Sequence, residues 1–339
     1  MSTPKQIVLA SRPKGTPTAA NFRVEDAPMP QLPSGGLLLR VLYLSLDPYM
    51  RGRMDDAKSY AKPVEIGEVM QAESVCEVLA SDRPGFAKGD IVTAFTGWRT
   101  HAAWAGGPLR QLDPKQGPIT AALGVLGMPG FTAYSGLMII GKPKAGETVV
   151  VAAASGPVGS LVGQLAKMAG ARAVGIAGGP GKCRYVVDEL HFDAAIDHRA
   201  PDFAAKLAAS CPKGIDVYFE NVGGVIWQAV LPLLNTYARV PVCGLIAQYN
   251  AAGPSDGANL LPRTMRTVLT RSLTIRGFIN TEFAPEHYPA FLKIVSAGIG
   301  DGRIHYREDI TDGLENAPAA FMGLLQGKNF GKALIRVAQ

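Results

Sequence analysis

The stretch Thr148-Val149-Val150-Val151-Ala152-Ala153-Ala154-Ser155-Gly156-Pro157-Val158-Gly159-Ser160-Leu161-Val162-Gly163 decides the fold. A valine-rich apolar run breaks into a glycine turn and then into a helical pattern, which predicts a strand, a tight turn and a helix N-terminus. In that order the three make a phosphate-binding site. The glycines let the backbone approach a pyrophosphate, and the first helical N–H groups face it with the positive end of the helix dipole. Pro157 suits the first helical turn, where its missing N–H costs nothing. Ser155, Gly156, Pro157, Val158 and Gly159 are therefore the candidate phosphate contacts, and a dinucleotide is the leading ligand. The spacing Gly156-x-x-Gly159-x-x-x-Gly163 departs from the standard G-x-G-x-x-G. A glycine-lined turn in an α/β protein that binds no nucleotide is the alternative.

About twenty residues past the glycines, an NAD site places an acid on the ribose hydroxyls. Here the second strand, Ala173-Val174-Gly175-Ile176-Ala177, runs into Gly178-Gly179-Pro180-Gly181-Lys182-Cys183-Arg184 with no acid in that place. A 2′-phosphate would be repelled by a carboxylate and attracted by Lys182 and Arg184. The loop therefore favours NADP(H), against the plainer view that these are surface charges opening a helix.

With 339 residues, 47% hydrophobic and 18% charged, the chain reads as a well-cored globular protein of about two domains. The net charge of +6 is scattered, with no basic run or aromatic-interleaved stripe, so a nucleic-acid partner is not expected. No apolar stretch is long enough to span a membrane, and the opening Met1-Ser2-Thr3-Pro4-Lys5-Gln6 lacks the apolar core of a signal peptide, so a cytoplasmic location is expected. Cys76, Cys183, Cys211 and Cys243 form no C-x-x-C pair, and His101, His191, His198, His287 and His305 show no ligand spacing. No metal site is expected.

From about residue 144 to 278 strands and helices alternate, which means a parallel sheet covered on both faces. The pattern predicts helices at 181–190, 203–209 and 226–234, and strands at 194–196, 215–219, 238–242 and 273–278. Ligands sit outside the carboxyl ends of such strands. That rule nominates Asn221, the segment Cys243, Gly244, Leu245, Ile246 to Tyr249, and Phe278, Ile279 and Asn280. The first ~125 residues show short strand-like pieces broken by Pro and Gly, the pattern of a small β-barrel-like domain. Residues 304–337 look strand-rich and are expected to return to it.

Three segments in order, Gly85-Phe86-Ala87-Lys88-Gly89-Asp90-Ile91-Val92, Met128-Pro129-Gly130-Phe131-Thr132-Ala133-Tyr134 and the glycine loop, resemble the medium-chain dehydrogenase/reductase superfamily. Leu44-Ser45-Leu46-Asp47-Pro48-Tyr49-Met50-Arg51-Gly52, Glu220-Asn221-Val222-Gly223-Gly224 and Gly327-Lys328-Asn329-Phe330-Gly331-Lys332 resemble its zinc-independent branch of prostaglandin reductases, alkenal double-bond reductases and bacterial curcumin reductases. The resemblance implies a GroES-like β-barrel catalytic domain (1–127 and 303–339) split around a Rossmann domain with a doubly wound parallel sheet (128–302), usually as a homodimer. It also implies that Gly156 to Gly159 hold the pyrophosphate, that Gly179 and Lys182 flank the 2′-phosphate, and that Asn329 joins the nicotinamide surroundings. Prostaglandin reductases carry a tyrosine near the adenosine phosphate where this chain has His198, whose pKa should rise beside a phosphate. Where zinc-dependent relatives carry an early cysteine ligand, this chain reads Ser45-Leu46-Asp47-Pro48-Tyr49.

The expected chemistry is NADPH-dependent reduction of the C=C bond of an α,β-unsaturated ketone or aldehyde. Hydride goes to the β-carbon, and charge moves to the carbonyl oxygen as an enolate. Tyr249 is the first candidate to donate to that oxygen and protonate the α-carbon, because a phenol is a neutral donor at pH 7. Tyr49 is the second, with substrate positioning an equal reading. The pocket walls are expected from residues 55–63 and 250–263. Quinone reduction and a non-catalytic, NADPH-binding redox sensor are the alternatives.

Overall fold

The computed structural model describes residues 3–251 and 259–338, so part of the second expected pocket wall, 252–258, lies outside the described residues. The chain divides into two units, Met1–Gly124 with Glu308–Gln339, and Val125–Arg307.

The first unit opens with a two-stranded antiparallel pair, β1 (Lys5–Leu9) and β2 (Phe22–Asp26). Five strands follow: β3 (Leu37–Ser45), β4 (Glu73–Ser81), β5 (Ile91–Phe95), β6 (His101–Trp104) and β7 (Leu109–Leu112). A short helix, α1 (Tyr49–Arg53), follows β3. Alternation fixes which side chains go inside. On β3, Leu37, Leu39 and Val41 are fully buried, whereas Leu38, Arg40 and Leu42 are only partly so.

In the second unit six parallel strands form one sheet. They are β8 (Thr148–Ala152), β9 (Arg172–Ala177), β10 (Ala194–Asp197), β11 (Ile215–Phe219), β12 (Leu234–Val242) and β13 (Thr274–Gly277), in the order β10-β9-β8-β11-β12-β13. The helices are α2 (Met128–Tyr134), α3 (Pro157–Met168), α4 (Pro180–Asp188), α5 (Phe203–Ser210), α6 (Gly224–Val230), α7 (Leu261–Thr270) and α8 (Ala284–Gly300). Thr148 to Ala152 are buried throughout, as a central strand covered on both faces must be. Val150, Ala152, Val174, Ile176 and Tyr218 share a core with Phe203 and Leu207 of α5 and Ile226 and Val230 of α6. The expected doubly wound parallel sheet is present, and α3 begins at Pro157.

Two expectations need correction. The helix foreseen over 226–234 ends at Val230; Leu231–Leu233 is a 3-10 turn and β12 starts at Leu234. Pro232 explains this, since its ring removes an N–H and clashes with the carbonyl four residues back. The stretch 304–337 is not uniformly strand-rich. Between β14 (Glu308–Asp312) and β15 (Lys332–Arg336) it forms a helix, α9 (Ala317–Leu325). Phe321 of α9 meets Phe22 and Trp98 edge-on, at 6.3 and 5.7 Å between ring centroids, and so closes the first unit's core.

β15 pairs antiparallel with β3, and beside that pairing lies a buried ion pair. Lys332 Nζ donates to Asp47 Oδ1 at 2.7 Å and to the Leu46 carbonyl at 2.8 Å, while the Ser45 hydroxyl bonds the other Asp47 oxygen. Glu73 senses the same charges. Burial, then Asp47, push its carboxyl up to about 7 against the pull of Arg110 and Lys332. A carboxyl raised from 4.5 in the unfolded chain stays protonated when folded, so a penalty accrues as pH rises from about 4.5 and is complete above about 7. Glu73→Gln should therefore raise the melting temperature at pH 8.5, by the equivalent of at most about 3 kcal/mol, and change it little at pH 5. Thermal melts at the two pH values check this; equal gains at both would refute the assigned ionisation.

Candidate active site

The second unit's strand ends build a cradle from the glycine turn outward. Between β8 and α3, Gly159 lies against the turn's own backbone, where a Cβ would stand 2.4 Å from the Ala153 carbonyl oxygen. No other residue fits. One turn later, a Cβ on Gly163 would meet the Phe192 ring at 1.8 Å, so the third glycine of the pattern serves helix packing. Ser155 is buried before the N-terminus of α3, where Gly156 is the N-cap, and Pro157 and Val158 occupy the first turn. No acidic side chain stands in that first turn, so the helix's positive end is uncompensated.

After β9, Gly179 (φ +94) caps α4, which also lacks an acidic first turn and carries Lys182. Asp197 ends β10, and its Oδ1 accepts the N–H groups of Gly179 and Arg199, both at 2.9 Å. The carboxylate nearest this loop is therefore spent on backbone. His198 and Arg199 fold over the glycines: a Cβ on Gly178 would lie 3.0 Å from His198 Nε2 and 3.1 Å from Arg199 Nε. The His198 imidazole lies below its usual pKa through burial and the Arg199 charge; a phosphate would act the other way. Arg199 was missed in the sequence, because only the turn bonds of Asp197 bring it back to a loop twenty residues earlier.

The ends of β11 and β12 are tied by Glu220. Its buried Oε1 accepts the N–H groups of Val222 at 2.7 Å and Gly223 at 2.8 Å, and the Tyr218 hydroxyl at 2.9 Å. Its carbonyl accepts from Cys243 and Gly244. Burial raises the Glu220 carboxyl pKa, and the three donors oppose that. Asn221 donates to the Ala152 carbonyl at 2.8 Å, and its own carbonyl accepts the Ile246 N–H. Asn221, Cys243, Gly244, Leu245 and Ile246 are thus brought together, but the Asn221 amide faces β8. The Cys243 thiol is pushed up to about 12 by burial and by Glu220. The same loop carries Tyr249, whose hydroxyl accepts the Leu245 N–H at 3.4 Å.

After β13, Phe278 packs edge-on against Phe219, and Asn280 donates to Thr132 Oγ1 at 3.1 Å. The Ile279 N–H donates to Glu282. Tyr49 and Asn329 belong to the first unit. Tyr49 opens α1, its phenol pKa raised by burial and by the charges of Asp47 and Glu73, and the Arg53 guanidinium lies 5.7 Å from its ring centroid. Asn329 donates to the Gly331 carbonyl at 2.8 Å.

A parallel sheet with such strand ends defines a dinucleotide-binding protein, and comparison with known proteins narrows the class. Residues 5–112 match the family described as the N-terminal domain of oxidoreductase, and residues 157–297 the family described as zinc-binding dehydrogenase. The chain is 53% identical to the NADPH-dependent curcumin reductase of Escherichia coli over 98% of this chain and 96% of that one. It is 39% identical to prostaglandin reductase 1 of Rattus norvegicus over 95% and 96%. A crystal structure of CurA from Vibrio vulnificus in complex with NADPH superposes with a TM-score of 0.96, at 52% identity and covering 99% of both chains. The chain belongs to the medium-chain dehydrogenase/reductase family, among the curcumin and prostaglandin reductases.

The name of the second matched family implies zinc, and the donor set does not fit it. Among the described residues no three His, Cys, Asp or Glu side chains come together to hold a metal ion, and Asp47 is engaged by Lys332 and Ser45.

Removing Glu220 Oε1 would strand three buried donors. Glu220→Ala should destabilise the protein by about 3 kcal/mol in urea unfolding, and Glu220→Gln, which keeps an acceptor, by much less. Equal losses for the two would show that the acceptor is not what matters.

Proposed function

We propose that the protein is an NADPH-dependent oxidoreductase that reduces the C=C bond of α,β-unsaturated ketones and aldehydes. The observation that supports this reading is the Tyr249 phenol, which accepts the Leu245 N–H within the loop after β12. A phenol that accepts a hydrogen bond is a better donor of its own proton. Identity of 53% to a protein named for NADPH-dependent curcumin reduction supports the substrate class.

The Ser155 to Gly159 turn and the α3 N-terminus would hold the pyrophosphate, and Gly179 and Lys182 would face the 2′-phosphate. NADPH supplies the hydride that reaches the β-carbon. Tyr249 donates a hydrogen bond to the carbonyl oxygen as enolate charge develops there, and its hydroxyl is the proton source for the α-carbon. Tyr49, with its raised pKa, remains protonated and positions the substrate. No step calls on zinc.

NADPH oxidation should proceed with an aryl enone, curcumin or a linear enal, yielding the saturated product, and far more slowly with NADH. Tyr249→Phe should lower kcat about 10- to 100-fold with NADPH affinity unchanged. Full turnover by that variant removes the assignment. Turnover with a quinone alone points to the quinone reductase, and tight binding without turnover to the sensor.

We also propose a cytoplasmic homodimer. Among the described residues β13 is an edge strand, and next to it α7 exposes Leu261, Met265 and Leu269 at 62, 57 and 81% on one face. Such a stripe beside an open edge fits a second copy of the same surface. Met265→Glu with Leu269→Glu should convert a two-chain species into a one-chain species in light scattering; an unchanged mass would place the interface elsewhere.

A further inference from the structure

The loop between β9 and α4 gathers more charge than a 2′-phosphate needs to be tolerated. Lys182 comes from the first turn of α4, and Arg199 and His198 from the segment after β10. Asp197 locks the two segments together through its bonds to Gly179 and Arg199, and the His198 N–H donates to the Ala177 carbonyl at 3.0 Å. His198 Nε2 and Arg199 Nε both stand over Gly178, 3.0 and 3.1 Å from where its Cβ would lie. We propose that Arg199 and His198 complete the 2′-phosphate site with Lys182, and that His198 takes up a proton when the phosphate binds. The preference for NADPH over NADH is then set by pH. This rests on NADP(H) being the cofactor.

The groups facing His198 make its two states distinct. Burial, Arg199 and, more weakly, Lys182 favour the neutral ring, and Asp197 and a backbone hydrogen bond of the ring oppose them. Asp197 Oδ1 already takes two backbone N–H groups, and a phosphate dianion would bring a second anion to the ring. That anion shifts the imidazole toward its charged form. By linkage, the phosphate-dependent part of the affinity strengthens by up to about tenfold for each pH unit of acidification between the free and bound pKa values. A tyrosine in this place would hydrogen-bond the phosphate without this dependence. The phosphate's own titration has the opposite sign, because binding its dianion releases protons.

The test is calorimetry of NADPH binding to the full-length protein at pH 7.5 in HEPES and in Tris, whose different ionisation heats count protons exchanged. The proposal expects a net proton uptake with NADPH and none with NADH. It expects loss of that uptake in His198→Gln, and an NADPH Kd raised about tenfold in Arg199→Ala with the NADH Kd unchanged. No uptake by the wild-type protein, equal uptake by His198→Gln, or equal uptake with NADH overturns the role of His198. An Arg199→Ala change that weakens both cofactors alike overturns the role of Arg199. If NADPH and NADH bind equally at pH 6.5 and 8.5, the NADP reading itself fails, whatever the proton count.

Discussion

One buried carboxylate oxygen, Glu220 Oε1, takes hydrogen bonds from two successive backbone N–H groups and a phenol, and the mouth of the parallel sheet depends on it. Strand ends carry backbone groups with no ladder partner, and a buried carboxylate satisfies several of them at once. Because the same residue's carbonyl holds Cys243 and Gly244, the turn after β11 and the loop after β12 cannot move independently. Tyr249 inherits its place from that coupling, since it closes back onto Leu245 within the tied loop. A side chain placed by a loop is as precise as the bonds that fix the loop.

Charge is distributed with similar economy. Carboxylates near the cradle point at backbone: Asp197 at Gly179 and Arg199, Glu220 at Val222 and Gly223. Their negative charge is thereby spread over peptide dipoles and does not oppose an incoming phosphate. The helix N-termini at Pro157 and Pro180 remain free of acidic first-turn residues. An acid in the loop after β9 would have set a negative charge at the second of these helix ends.

Much of this was legible in the sequence because it is local. A buried valine strand, a glycine turn and Pro157 at a helix start lie within sixteen residues, and period and turn chemistry read them directly. The six-stranded sheet followed from alternation. What was not legible depends on residues meeting across long separations. Arg199 reaches Gly178 only through a turn fixed by Asp197. Glu220 looked like one letter of a motif, although its side chain organises the loops that were nominated. Asn221, Asn280 and Asn329 were nominated as cofactor neighbours, and their side-chain amides donate to protein acceptors. α9 was hidden because its short apolar run has no polar face to display helical periodicity, and only Trp98 and Phe22 show what it covers.

The ion pair between Asp47 and Lys332 joins residues 285 positions apart, and β15 completes a sheet begun by β3. A ribosome delivers Asp47 well before Lys332. Unit two, lying wholly between them, has all its strands available while β3 still waits for its neighbour and Asp47 for its counter-charge. The first unit must therefore pass through its nascent life with an open strand edge and an incomplete aromatic core, an arrangement that invites pairing with other chains. Its assembly waits for α9 and β15, so a chain lacking β15 would leave β3 without its neighbour and Asp47 without its counter-charge.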